Sequence, residues 1–432
     1  MVYNVRSLAT GFCMSTPQPR IVDAGRSLAE RYRCVRDRSL RLCSPLGPED
    51  MTVQSMPDAS PAKWHLAHTT WFFERFILQP NCPDYRVFNE HFDHLFNSYY
   101  FTVGQMYARP RRGLISRPTV GEVIDWRRHV DDAMAAVCAD ADERRRFLVV
   151  LGLNHEQQHQ ELLLTDIKHM LAQNPMFPAY DSAAATASGD RSGLRWIGFP
   201  GGLQEIGAPA DRGFVFDNET PPHRVWLEEF ELASRPVTNG EFLEFVEDGG
   251  YASPALWLSD GWSTVQSSGW CRPLYWQDDG ETMFTLGGLK PFDPAAPVCH
   301  LSYYEADAYA RWSGARLATE AEWETASGRE EIRGNFVESG HLHPVGTDGA
   351  GLQQCYGDVW EWTSSPYAPY PGFEPLEGSL GEYNGKFMCS QMVLRGGSCA
   401  TPADHIRPTY RNFFYPHQRW QFSGVRLARS PA

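Results

Sequence analysis

N-H-E-Q-Q-H-Q-E, residues 154–161, is the stretch that settles how the N-terminal half is built. His155 and His159 stand four residues apart. On an α-helix, at about 100° per residue, they fall one turn apart on a single face, where two imidazoles can reach one metal ion. The residues that follow, LLLTDI, are apolar. The helix is therefore read as buried, and buried imidazoles need partners. The plain alternative, two polar residues on a solvated face, is weakened by those neighbours. The pattern predicts a long helix from about Ala141 to Leu171.

Working outward, three more helices are expected upstream. One runs from about Val22 to Cys43, where Ala24, Leu28, Ala29, Tyr32 and Val35 recur at three- and four-residue steps. A second begins near Ser60, an N-cap candidate with Pro61 at the first helical position, and carries Trp64, Leu66, Ala67, Trp71, Phe72 and Phe76. A third runs from about Val120 to Cys138, with Thr119 and Glu122 forming a capping-box pattern. Four helices with one long irregular connection, roughly residues 79–118, predict a four-helix bundle over residues 20–180.

A third metal ligand has to come from another helix. His65 and His68, in W-H-L-A-H-T-T-W-F-F, are three apart and share a face, and spacing alone does not choose between them. His169, His91 and His94 are weaker candidates, near a helix end or in the long connection. Three imidazoles would leave open positions on an octahedral ion, and they suit iron, zinc, copper or nickel equally. Glu161 is expected to accept a ligand N–H. Gln158 projects about 60° from His155 on the helix and is placed to touch whatever binds the metal.

Residues 181–192, DSAAATASGDRS, read as a linker. Beyond it, short strand-like runs such as Arg224–Phe230 alternate with Gly-, Pro-, Asp- and Asn-rich turns, and short helices follow Thr238 and Ser302. The chain of 432 residues is long enough for two domains. Its 14 Trp, 18 Tyr and 24 Phe, many after residue 190, point to an irregular C-terminal domain held by large side chains. A formal net charge of -14 argues against a nucleic-acid partner. The ten cysteines form no C-x-x-C pair, and the N-terminus lacks an evident export signal, so reduced thiols in a cytoplasm are expected. No apolar run is long enough to cross a membrane.

At these residues the sequence resembles a known family. The His-x3-His-x-Glu element, preceded by W-H-L-A-H, is similar to the DinB-like bundle of the ergothioneine-biosynthesis sulfoxide synthases. The C-terminal half resembles the formylglycine-generating-enzyme fold, a C-type-lectin-like domain. The resemblance is carried by PVTNGEFLEFV (236–246), HLSYYEADAYARWSGARLATEAEWETA (300–326), GDVWEWTSS (357–365), LRGGS (394–398) and FSGVRLAR (422–429). The fold expected is α+β, a bundle followed by a lectin-like domain over residues 193–430.

The resemblance implies that His68, His155 and His159 bind Fe(II), with O2 as co-substrate. His68 is preferred to His65 because it matches the final histidine of the family's L-A-H element. The reaction implied joins a thiol sulfur to C2 of the imidazole of hercynine, giving a sulfoxide. Gln158 matches the glutamine that bonds hercynine's other ring nitrogen, and Tyr99 or Tyr100, in N-S-Y-Y, matches the tyrosine proton donor. Should neither tyrosine act, Tyr367, Tyr370, Tyr410 and Tyr415 are the reserve. One departure matters. The branch using γ-glutamylcysteine carries an acid shortly after R-N, whereas this chain reads R-N-F-F-Y-P at 411–416. Phe414 cannot form an ion pair, which favours L-cysteine as thiol donor. Asn412, Phe413 and Phe414 are expected to contact hercynine, since aromatic faces suit a trimethylammonium. Arg109, Arg111 and Arg112 are candidates for binding a carboxylate.

Competing readings are a histidine C5 sulfoxide synthase of the ovothiol type, a formylglycine generator, and a DinB-like thiol transferase using another metal. The first typically adds a methyltransferase domain after the lectin-like one, and none is read here. The second needs a cysteine pair soon after Gly-Gly-Ser, and Cys399 has no such partner.

Overall fold

The computed structural model describes residues 25–182, 184, 193–209 and 213–431. The expected start of the first helix at Val22 and most of the 181–192 linker lie outside them.

Four long helices form the N-terminal bundle: Leu28–Cys43, Ala62–Phe73, Val120–Ala139 and Glu143–Ala172. The first and third open on capping boxes, Ser27 with Glu30 and Thr119 with Glu122. The fourth opens on Asp142, whose side chain accepts from the Arg145 amide. Ser60 does not cap the second helix. Pro61 is its N-cap residue, and the Ser60 hydroxyl instead accepts from Arg112 at 2.9 Å. The long connection is not wholly irregular. It holds a short helix, His91–Phe96, and a 3-10 segment, Arg109–Leu114.

Every residue of the second helix is buried, polar ones included. A helix buried on all sides sits at the centre of its domain. Gly152 lets the fourth helix come close to it. A methyl group there would lie 2.7 Å from the Phe73 ring and 3.0 Å from Phe72. A helical glycine costs roughly 1 kcal/mol. Complete burial of Phe72 and Phe73 contributes roughly 1.5–3 kcal/mol each and offsets it. The close crossing also brings His68 on one helix to His155 on the other.

A buried ion cluster ties the bundle together behind this crossing. Glu156 accepts from Arg36 at 2.9 Å, from Ser39 at 2.5 Å and from Arg127. Burial alone would raise the Glu156 carboxyl, but Arg127 and Arg36 outweigh it and hold it at about 2.

The C-terminal part is built from short strands. Trp196–Phe199, Phe230–Ala233, Leu427–Arg429 and Arg316–Leu317 form an antiparallel sheet in that order. Asn412–Phe414, Met392–Arg395, Trp360–Pro366 and Ser423–Gly424 form a second, its last pair parallel. The run expected as one strand at 224–230 divides into His223–Leu227, in a hairpin with Gly202–Ile206, and Phe230–Ala233. The helices after Thr238 and Ser302 are Asn239–Glu247 and Tyr303–Trp312, each opened by a capping box. Two more helices, Ser259–Ser268 and Glu320–Ser327, accompany them. Among the described residues no disulfide joins the cysteines, and no helix is long and apolar enough to cross a membrane.

The fourth bundle helix is the seam between the two parts. Gln157 donates to Asp404 at 2.7 Å, and Lys168 donates to His300 at 2.7 Å. Glu161 accepts from Trp360 at 2.7 Å, Ser398 at 2.5 Å and Thr401 at 2.7 Å. This corrects the expectation that Glu161 would serve a metal ligand. Its carboxylate is fully engaged by the neighbouring domain, and burial raises its pKa despite those donors.

Candidate metal centre

His68, His155 and His159 converge. One ligand atom from each lies within 4.8 Å of the other two, and this is the only such group found among the described residues. Their exposures are 0, 1 and 9%. His68 lies between the rings of Trp64 and Trp71, at 4.6 and 5.5 Å. Its Nδ1 donates to the Phe96 carbonyl at 2.6 Å, which leaves Nε2 bare. Nε2 of His68 and both ring nitrogens of His155 are buried without any partner. Orphaned buried nitrogens are costly, and several aimed at one point are accounted for by a cation between them. Burial lowers all three imidazoles below their ordinary range, His155 to about 3. They are therefore neutral, the form that ligates a metal. The residues present fit a metal ion held by three nitrogens.

His65 belongs to the layer behind. Its Nδ1 lies 2.9 Å from Nδ1 of His159, and its Nε2 lies 3.1 Å from Asp166. Asp166 also accepts from the Ser60 amide at 2.7 Å and from Trp420 at 3.1 Å. A carboxylate fixes the tautomer. With its proton on Nε2, His65 accepts from His159 Nδ1–H, and His159 Nε2 is left free for the metal. Sequence reading missed Asp166. It stands seven residues after His159, two helical turns on the same face, and that spacing was the available signal. The weaker candidates lie elsewhere. His169 pairs with Ser55 and His94 with the Gln105 carbonyl, while His91 is exposed.

Two of the three, His155 and His159, border a cavity of about 370 Å³ between the bundle and the C-terminal sheets, while His68 lies behind them. Gln158, Tyr99, Arg109, Arg112, Asn412, Phe413 and Phe414 all line it. Arg112 is buried, stacked 3.4 Å from the Trp64 ring centre, bonded to Ser60 and Ser98, and paired with no carboxylate. Arg111 is exposed and does not reach the cavity. Its position on the 3-10 segment turns it outward while residues 109 and 112, three apart, share the inner side. Tyr100 is also not brought to the cavity. It is fully buried in the bundle core against Trp71 and Phe76.

Tyr99 lies 6.4 Å from His68, ring centre to ring centre. A second tyrosine that the sequence reading did not single out, Tyr383, lies 5.5 Å from His155 and 6.0 Å from Tyr99. Its hydroxyl donates to Gln158 Oε1, and Gln158 Nε2 donates to Tyr410 at 2.6 Å. Tyr383 sits in a segment, GSLGEYNGKF, that has neither periodicity nor motif. A clasp joins its neighbours to the tyrosine pair. Glu382 accepts from the Phe101 and Thr102 amides at 3.0 and 2.9 Å, and Lys386 donates to the Tyr99 carbonyl.

Comparison with known proteins agrees with this architecture. Residues 31–163 match the DinB superfamily, and residues 185–350 and 338–431 match the sulfatase-modifying factor enzyme 1-like domain. A hercynine oxygenase from Mycolicibacterium smegmatis is 33% identical over 94% of this chain and 99% of its own length. The chain belongs to the hercynine oxygenase family. Another member, from Mycobacterium tuberculosis, is 33% identical over 91% of this chain and 96% of its own. Ergothioneine biosynthesis protein 1 of Schizosaccharomyces pombe is 29% identical over 50% of this chain and 28% of its own length. The convergent histidines fit the metal site expected of such a protein.

Proposed function

We propose that this chain is a cytoplasmic, O2-dependent, non-haem iron(II) sulfoxide synthase of ergothioneine biosynthesis, joining the sulfur of L-cysteine to C2 of the hercynine imidazole. The thiol S–H and the C2–H are lost, one oxygen atom becomes the sulfoxide oxygen, and the other leaves as water. The observation that carries this reading is the cluster of three neutral imidazoles beside an interdomain cavity, two of them in its lining, which also offers a guanidinium without a carboxylate partner, an amide and aromatic rings.

Bound Fe(II) would supply the meeting point for thiolate, imidazole and O2 and the path for electrons between them. His68, His155 and His159 would hold it. Arg112, with Arg109 beside it, meets a carboxylate, because its buried guanidinium is bonded to two hydroxyls but to no carboxylate of the protein. Gln158 meets the hercynine ring nitrogen that faces away from the metal. Phe413 and Phe414 present rings that suit a trimethylammonium group, and Asn412 is the polar member of that wall. Holding both reactants in one cavity removes much of the entropic barrier to their coupling. Tyr99 and Tyr383 flank the histidines from two sides; Tyr99 would give a proton to oxygen as it is reduced, and Tyr383 could do so only by turning its hydroxyl away from Gln158.

Cysteine is favoured over γ-glutamylcysteine because the Asn412–Phe414 wall offers no acid for a γ-glutamyl amine; Asp58, an acid elsewhere in the lining, lies beside Arg109 on the bundle side. Glu161 and Asp166 are each engaged by three donors, and the Asn412–Phe414 strand carries no carboxylate. The test is anaerobic reconstitution with Fe(II), followed by O2 uptake and mass spectrometry. Uptake is expected only with hercynine and thiol together, giving the coupled sulfoxide with cysteine. No coupled product with either thiol overturns the assignment.

A further inference from the structure

The polar chain that starts at Tyr383 has a direction, and its far end sets it. Asn154, on the fourth bundle helix, donates through Nδ2 to the Val150 carbonyl at 2.9 Å. Its Oδ1 therefore faces His405 Nδ1, at 3.1 Å, and accepts from it. Arg407 donates to the same oxygen at 3.3 Å, which disfavours the flipped amide. A proton on His405 Nδ1 leaves Nε2 bare, so the Tyr410 hydroxyl donates to Nε2 at 3.1 Å. With its proton committed, Tyr410 can only accept from Gln158, at 2.6 Å. Gln158 Oε1 is then turned to Tyr383, whose hydroxyl donates to it. His405 and Tyr410 are 1 and 3% exposed, so water does not compete for these bonds.

We propose that His405 is a positioning residue that acts through Tyr410 to fix the Gln158 amide with its carbonyl oxygen on the Tyr383 side. The ligand class this selects is an imidazole that keeps a proton on the ring nitrogen remote from the metal. Such an N–H donates to Gln158 Oε1, which has one acceptor site left after Tyr383. A rotated amide would present N–H to N–H, and a ring methylated at that nitrogen would have nothing to donate. No side chain in the relay other than Gln158 and Tyr383 needs to touch the ligand. The inference rests on the reading that hercynine fills the cavity.

The test is anaerobic calorimetry on the Fe(II)-loaded protein with hercynine and, separately, with cysteine, beside steady-state kinetics. Tyr410→Phe, which keeps the ring, and His405→Ala should each weaken hercynine about tenfold in Kd and KM, the scale of one buried hydrogen bond. Cysteine affinity should stay within twofold, and kcat at saturation within threefold. The double variant should be no weaker than either single one, because the two residues act in series. His405→Gln, which restores an acceptor, should recover most of the loss. If His405→Ala fails to fold, Tyr410→Phe decides alone. Wild-type hercynine affinity in Tyr410→Phe, or equal loss for both substrates, would overturn the proposal. No hercynine binding by the wild type would instead overturn the function reading, and this proposal with it.

Discussion

Replacing His65 by leucine separates the residue that grips the metal from the one that steers it. In the wild type, His65 Nδ1 accepts from His159 at 2.9 Å, and its Nε2–H donates to Asp166. Leucine removes both bonds at similar volume. His159 then loses the partner that keeps its proton on Nδ1, and a proton on Nε2 blocks the metal. Loss of such an outer partner typically weakens metal binding by roughly 10–100-fold, which is about 1.4–2.7 kcal/mol. The cost of stranding one buried donor, about 1–3 kcal/mol, gives the same scale independently. The assay is competition for Fe(II) or Co(II) against a chelator under anaerobic conditions. One ion per chain should still bind, more weakly. His68→Ala and His155→Ala, which remove ligands, should lose far more. Unchanged affinity in His65→Leu would refute the steering role. Loss as complete as in His68→Ala would show that His65 is itself a ligand.

Glu156→Gln should destabilise the fold by about 3–5 kcal/mol, because Arg127 is left buried without a counter-charge and Arg36 keeps only Asp131; urea unfolding reads this directly. The folded Glu156 carboxyl lies at about 2, below its ordinary 4.5. Its contribution is therefore complete above about pH 4.5 and drains as the pH falls toward 2, and the variant should show a flatter stability profile across that window. Tyr383→Phe or Tyr99→Phe should shift products from coupled sulfoxide toward oxidised thiol, while Tyr100→Phe should leave the ratio unchanged; a Tyr100 effect equal to the others would count against the cavity assignment. Phe414→Asp should raise kcat/KM for γ-glutamylcysteine relative to cysteine, measured by competition between the two thiols. No shift would mean that this wall does not read the thiol donor.

The parts of the molecule with a period were legible in its sequence. The fourth helix and the capped third helix carry their own repeat and stop signals, and both appear within one or two residues of expectation. The histidine pair at four-residue spacing was legible for the same reason. What spacing left open was His65 against His68. The choice depends on which imidazole points across to another helix, and that is set by Trp64 and Trp71 stacking on His68. Glu161 was misread because its partners, Trp360, Ser398 and Thr401, lie about 200 or more residues away. Tyr383 was missed because its segment is held by Glu382 and Lys386 reaching back to Tyr99, Phe101 and Thr102. Local pattern carries no record of contacts made across domains.

The thirty-residue fourth helix addresses three neighbours at once. Glu156 and Gln160 point to the first and third helices, His155 and His159 to the cavity, and Gln157 and Glu161 to the lectin-like half. One extra residue between positions 156 and 161 would turn everything beyond it by about 100°. No single facing could then be kept without breaking the other two. This helix should tolerate exchange of residues along its length far better than any change in its count, whereas the connecting loops on either side are free to grow.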